Sequence, residues 1–526
     1  MAPTGDRARF SDCLDTLKRR SGLSYQALAA KTHISRSSVH RFCSGLAVPQ
    51  EFGTVEAIAL ACGATRAEID TLYRLWCRAL DPEVPCETPP PPTTVPPARR
   101  PVRWVAISAG VVLVAALLVV LRGGSPPEQA AARVAGAWSQ APLAVPPSFF
   151  GVTVGNSSGA MPTFRIGAAR FWDSHTRWAN VEPRRGEFDW SVLDRLVAGA
   201  EARGMPVLYT FGGTPEWASP AGPRAVYDDG SRTTPPDDLG DWDGYVRAVA
   251  ERYRGRIQAY ELWVFGNDTR YYSGDVETLA EMTRRANRII KEVSRDATVV
   301  CPGMGRLWQE DARAVLERFA ATRAYDHCDA AGIKLHQKKA SDPPESMLEL
   351  TDFVESTFHR AGVHPPLWST GTTYELPLND PLDPDIGADY AVRFYLVGLY
   401  ARIARMYFYN WGGTKLPVVL QPVGGDPTRA ALQVEELQRW LNRAAIESCA
   451  QGTPAGLPSG VYQCRFRSGD GKPLAVLWTD HGTASMPTPP AAVDVRRLDG
   501  SSTPADAASD LTITTRPILV TFRQTD

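Results

Sequence analysis

The stretch Trp104–Leu121, WVAISAGVVLVAALLVVL, carries no charged residue and is bracketed by Arg103 and Arg122. As a helix rising about 1.5 Å per residue it spans about 27 Å, close to the hydrocarbon thickness of a bilayer. A buried helix of a water-soluble domain keeps a polar stripe, and Ser108 is almost all this run offers. The expectation is a single, uncleaved membrane span, because signal peptides begin within roughly the first 15–30 residues. Arg99, Arg100 and Arg103 crowd its N-terminal flank, against Arg122 and Arg133 behind it. The positive-inside bias then places the N-terminus in the cytoplasm and the C-terminal part outside the cell. The chain divides into a head (1–81), a Pro-rich linker (82–103), the span (104–121), a stalk (122–147) and two external parts, 148–425 and 426–526.

Charge and cysteine follow that division. The formal net charge of −1 over 526 residues averages two compartments and marks neither. Cys13, Cys43, Cys62, Cys77 and Cys86 precede the span without metal-ligand spacing and read as small buried hydrophobes. Cys301, Cys328, Cys449 and Cys464 follow it, where disulfides persist. Cys449 and Cys464 flank a turn-rich stretch and are the better-placed pair, Cys301 and Cys328 the second. No metal or cofactor is expected.

Residues 10–80 read as five short helices. Ser24 caps SYQALAAKT, a tight turn follows at 32–34, and Ser35 caps RSSVHRFCSG, which stops at Gly45. Two helices about such a turn form the helix-turn-helix pattern. A recognition helix enters the major groove by its N-terminal end. Arg36, Ser37, Ser38, His40 and Arg41 are therefore the candidate DNA-contacting residues, each able to hydrogen-bond bases or phosphates. The run LSYQALAAKTHISRSSVHRFCSGLAVP resembles the phage-repressor (Xre/Cro) type of domain. That resemblance implies DNA as partner, bound by a homodimer on two half-sites. The same domain type also docks proteins in membrane-bound scaffolds of the rod-shape system. Eleven Lys and Arg against eight Asp and Glu over residues 1–81 leave a mild excess of +3 for either partner.

Beyond the stalk, strand-like runs alternate with helical ones: FFGVTV, FRIGAARFW, PVLYTFG, IQAYELWVF, ATVVCPGM, CDAAGIKLH, PPLWSTGT and RMYFYNW. Eight such repeats over roughly 260 residues predict a (β/α)8 TIM barrel, with a doubly wound open sheet as the alternative. After Leu420 a helix and the short runs VYQCRF, LAVLWTD, VDVRRL and ILVTF predict a small C-terminal β-sandwich. With the helical head and the span, the fold class is multidomain.

A site in such a barrel lies at the C-terminal strand ends. These are rich in aromatics: Trp172, Trp178, Trp217, Trp263, Trp368, Tyr409 and Trp411. Together with Asn267 they are the candidate glycan-binding residues, because aromatic faces stack on sugar rings. About half of the aromatics are expected to be core instead. The run ARFWDSHTRWANVEPRRGEFDWSVLD, then VLYTFGGTPEWAS, AYELW and PLWST, resembles the β-xylosidase and α-L-iduronidase group of clan-A glycoside hydrolases. The resemblance implies an acid/base Glu after an Asn at the end of strand four, where this chain has Val264 and Phe265. It implies a nucleophile Glu at the end of strand seven, where this chain has Gly371. Lys334 replaces a usual His on strand six. A retaining glycosidase works with two carboxyl groups about 5–5.5 Å apart, so the expectation is a pseudoglycosidase and not an enzyme. The alternative is a membrane-anchored glycosidase that uses displaced carboxylates, from among Asp268, Glu375, Glu182, Glu216 and Glu261.

The combined expectation is a membrane-anchored, DNA-binding transcriptional regulator with an external barrel for a cell-envelope glycan. The other reading is an envelope scaffold whose head docks a cytoplasmic protein.

Overall fold

The computed structural model describes residues 4–32, 36–49 and 52–65, several positions between 68 and 79, and then 137–371, 382–413 and 418–524. The expected span 104–121, the linker and most of the stalk lie outside them. Among the described residues no helix is long and apolar enough to cross a membrane. The chain divides into two compact units, Met1–Gly124 and Ser125–Asp526.

The first unit is helical: α1 (Thr4–Ser21), α2 (Tyr25–Thr32), α3 (Arg36–Cys43) and α4 (Phe52–Ala61). The Ser24 hydroxyl accepts the Ala27 N–H at 3.1 Å, which satisfies one of the free donors at the start of α2. Gly45, at φ +71°, ends α3. Its N–H bonds Phe42 O and the Leu46 N–H bonds Arg41 O, the paired closure that a left-handed glycine permits. Phe10, Leu14 and Leu17 of α1 meet Leu28, Val39, Cys43, Val55 and Ile58 in one hydrophobic core. Residues four apart share a helix face, so this spacing brings each buried row inward.

The second unit is built on a closed barrel of eight parallel strands. After the strand β1 (Ala137–Ala144), these are β2 (Phe150–Val154), β3 (Ala168–Phe171), β4 (Val207–Thr210), β5 (Ala259–Glu261), β6 (Thr298–Met304), β7 (Ala330–Ile333), β8 (Leu367–Ser369) and β9 (Arg405–Trp411). Each lies within one of the eight runs read from the sequence. Pairing of β2 with β9 closes the ring and excludes the open sheet. Inward positions recur every second residue. The lower layer is Ala168, Leu208, Ala259, Val300, Ala330, Trp368 and Tyr407, where two large rings fill the space that small residues leave. Two residues further along their strands stand Arg170, Thr210, Glu261, Thr370 and Tyr409, so the interior turns polar towards the C-terminal mouth.

Seven antiparallel strands form a sheet in the order β1-β10-β11-β12-β17-β14-β15. Its later members are β10 (Ala445–Gln451), β11 (Val461–Arg467), β12 (Pro473–Thr479), β14 (Ala492–Arg497), β15 (Ser502–Pro504) and β17 (Ile518–Phe522). A ribbon of β13 (Thr483–Pro487) and β16 (Asp510–Thr514) packs on it through Leu511 and Ile513 against Leu477, Val495 and Val520. This sheet with its ribbon stands where a small sandwich was expected, and it extends further back in the chain than the sequence suggested. Residues 137–144 form its edge strand β1 and not stalk, because they pair with β10, some three hundred residues distant. Trp138 fastens that strand, its indole N–H donating to Tyr400 O at 2.7 Å. Glu345 joins sheet to barrel, accepting Arg393 Nε at 2.9 Å and Trp478 Nε1 at 2.7 Å. Cys449 and Cys464 face each other across β10 and β11 and are bonded, as are Cys301 and Cys328. In the head, Cys43 and Cys62 are buried thiols and Cys13 is half-buried.

Candidate functional site

In the head, α3 turns Val39 and Cys43 into the core and leaves Arg36, His40 and Arg41 in solvent. Ser38 is half-buried; the side chain of Ser37 and the turn at 33–35 lie outside the described residues. The His40 ring meets Tyr25 of α2 edge-on at 5.1 Å, which ties the outer face of α3 to its neighbour. The result is a short helix seated by two apolar side chains, with two guanidinium groups and an imidazole free to meet an anionic surface.

In the barrel, Glu261 is the centre of a sealed polar cluster. Its Oε2 accepts Arg170 Nε at 2.8 Å and Thr210 Oγ1 at 2.7 Å, and its Oε1 accepts Lys334 Nζ and Thr370 Oγ1, both at 2.6 Å. Lys334 also donates to Thr370 O at 3.1 Å. Strand register explains the assembly: Thr210 lies beside Glu261, and Arg170 beside Thr153. Burial, with the Arg170 charge, pushes the Lys334 ammonium down to about 7. Burial alone would raise Glu261, but Arg170 and Lys334 outweigh it and hold its carboxyl below the ordinary value. Phe265 and Gly371 lie on either side of this lysine. The Phe265 ring centroid is 5.5 Å from Lys334 Nζ, and a Cβ on Gly371 would stand 3.7 Å from Lys334 Cδ.

The structure sorts the candidate glycan-binding residues. Trp178 is fully enclosed, stacked on Tyr245 at 4.8 Å and donating to Glu182 at 2.8 Å. Trp263 is enclosed and donates to Tyr271 O; Trp411 is enclosed and donates to Gln421 Oε1. Trp368 belongs to the barrel's lower layer. These four are core, since no face is left for a sugar. Asn267 is also buried, bridging loops through Gly305 and Ala312. Trp217 is half-buried, with Arg185 over its ring at 4.9 Å. Trp172 is buried as well, its ring edge-on to Tyr227 at 5.8 Å, while Tyr409 is half-buried and reaches Asp173. Gly212 lets the Trp172 ring approach there, because a Cβ on it would lie 2.9 Å from that ring.

Four of the five displaced carboxylates are engaged elsewhere. Asp268 is clamped by Arg270 Nε and the guanidinium NH2, Glu216 pairs with Arg232, Glu182 accepts Trp178 and the Gly186 N–H, and Glu261 is sealed as described. Glu375 lies outside the described residues. Sequence reasoning missed Asp173, with its neighbours Arg177, Tyr227 and Asp229. Its position directly after Trp172 at a strand end was the available signal. Among the described residues no cluster of ligating side chains could hold a metal ion.

Residues 9–72 match the family model of a helix-turn-helix domain. Solved structures similar to the chain include a family 39 glycoside hydrolase from the gut symbiont Bacteroides cellulosilyticus WH2, at 16% identity over 72% of this chain and 81% of that one, TM-score 0.53. A glucosidase from Croceicoccus marinus matches at 11% identity over 74% and 98%, TM-score 0.53. A family 39 β-xylosidase from Caulobacter crescentus matches at 13% identity over 74% and 98%, TM-score 0.51. No curated protein matches the chain. The expectation that the barrel is not an enzyme is corrected by this company, since the solved structures sharing its fold are named as hydrolases. That expectation rested on two positions alone, Phe265 and Gly371, read against a motif. The chain thus carries a helix-turn-helix domain at its N-terminus and a C-terminal barrel similar in fold to solved family 39 glycoside hydrolases.

Proposed function

We propose that this is a single-pass membrane protein whose head binds DNA as a transcriptional regulator and whose barrel, across the membrane, takes a carbohydrate at its C-terminal mouth. The observation that carries the first half is α3, seated by Val39 and Cys43 with Arg36, His40 and Arg41 in solvent. A helix so held can enter a major groove without reorganising its core. Two heads on adjacent half-sites would make the binding unit a homodimer. Residues 104–121 would be the anchor, with the N-terminus cytoplasmic. Two disulfides in the barrel unit and free thiols in the head suit that division of compartments. For the barrel, the half-buried Tyr409 and the partly exposed carboxylate of Asp173 beside it support a sugar as ligand.

The test is selection of duplexes from a random pool by the full-length chain in detergent. Enrichment of a two-half-site sequence, weakened by Arg36→Ala, is the expected result. A chain that retains no duplex at about 50 mM salt, where phosphate contacts are strongest, overturns the DNA reading in favour of a protein-docking head.

A further inference from the structure

We propose that Asp173 is a substrate-contacting residue of the barrel, its Oδ1 accepting hydrogen bonds from the hydroxyl groups of a neutral sugar. The inference rests on the reading of the barrel as a carbohydrate-binding domain. Asp173 follows β3 by two residues, on the face where barrel sites form. Its Oδ2 accepts the Tyr409 hydroxyl at 2.7 Å, from the end of the adjoining region of β9. Its Oδ1 makes no hydrogen bond among the described residues and lies 3.8 Å from Arg177 NH1. The side chain is 21% exposed, in contrast to the sealed Glu261.

The groups that hold Asp173 are themselves held. Arg177 lies 3.8 Å over the Tyr227 ring and donates to Asp229 at 2.5 Å. The Tyr227 hydroxyl in turn accepts the Trp172 indole N–H at 2.7 Å. One oxygen is thus fixed by the protein while the other is presented, the preorganisation a binding residue needs. Charge narrows the ligand class. Arg177 already compensates Asp173, so a hydroxyl donor fits Oδ1 better than an ammonium, and a sugar carboxylate would be repelled.

The experiment measures binding of xylobiose and cellobiose to the full-length protein in detergent, by calorimetry. Wild type is expected to bind at least one of them. Asp173→Asn should weaken that binding about tenfold or more, because hydrogen bonds to a charged group are among the stronger ones. A monodeoxy analogue lacking the held hydroxyl should bind wild type and Asp173→Asn alike, which a merely structural role would not produce. If Asp173→Asn melts earlier than wild type, Asp173→Glu is read instead. It keeps the charge for Arg177 and Tyr409 but displaces the presented oxygen, and it too should lose affinity. Unchanged affinity in a folded variant overturns the role of Asp173 and leaves the carbohydrate reading standing. Failure of wild type to bind either sugar removes both.

Discussion

The head and the barrel handle charge in opposite ways. Among the described residues the head buries no charged side chain, and its arginines on α3 stand in water. The barrel encloses Arg170, Glu261 and Lys334 at its centre and a second pair, Arg393 with Glu345, where it meets the sheet. A small helical domain has room for one apolar cluster and none for desolvated ions. A barrel of eight strands can surround a charge on all sides with threonine hydroxyls and partner charges, which satisfies the lone pairs that burial would otherwise orphan. The difference teaches where function can sit. In the head it rests on a face exposed by local sequence, and in the barrel on a mouth supported by a rigid polar floor.

The sharpest way to break this contrast is Glu261→Gln. It leaves two buried cations with one neutral partner, so the barrel's unfolding free energy should fall by about 3–5 kcal/mol, while the head's transition stays in place. Calorimetry of the full chain reads both, and a loss below about 1 kcal/mol would mean that the cluster is solvated. Next comes the disulfide between Cys449 and Cys464, which closes a loop of 15 residues. Replacing both by alanine should cost about 3 kcal/mol in the same transition, and added reductant should have no further effect on that variant.

In the head, Arg36→Ala should cost about tenfold in DNA affinity and reduce the salt slope by about one, with the melting of the head unchanged. A melting shift there would place Arg36 in the fold and weaken the comparison. The smallest effect near neutrality is the response of the barrel to pH. The folded pKa of Lys334, about 7, lies below its unfolded value of about 10.5. Between those values the unfolded chain binds more protons, so this group makes stability rise as pH is raised from about 7. Glu261 acts at the other end, its contribution present above the unfolded carboxyl value and lost as pH falls through its depressed folded one. Lys334→Met should flatten the alkaline rise and, because Lys334 also helps hold the Glu261 carboxyl down, weaken the acid limb that Glu261 supplies.

Much of the architecture was legible because it depends on short-range pattern. Alternation of strand and helix announced eight strands, and each observed strand falls within its run. The Ser24 cap and the Gly45 stop were equally local. The site was less legible. Trp178, Trp263, Trp368 and Trp411 follow or end strands as mouth residues should, but whether a ring is covered depends on how neighbouring helices, strands and loops pack over it, and here Tyr245, Tyr271, Tyr407 and Gln421 cover or bind them. The edge strand 137–144 was hidden for the same reason, its partner β10 being remote in sequence.

By itself the amino-acid sequence determined the succession of elements, the helix-turn-helix spacing and the apolar run 104–121, since periodicity, caps and turn residues act within a few positions. Only the tertiary structure decided that Glu261 would be locked between Arg170 and Lys334, and that Asp173 would give one oxygen to Tyr409 and hold the other 3.8 Å from Arg177. Both depend on ring closure, which brings side chains up to 236 residues apart in the chain within hydrogen-bond reach, a distance at which no local pattern carries information.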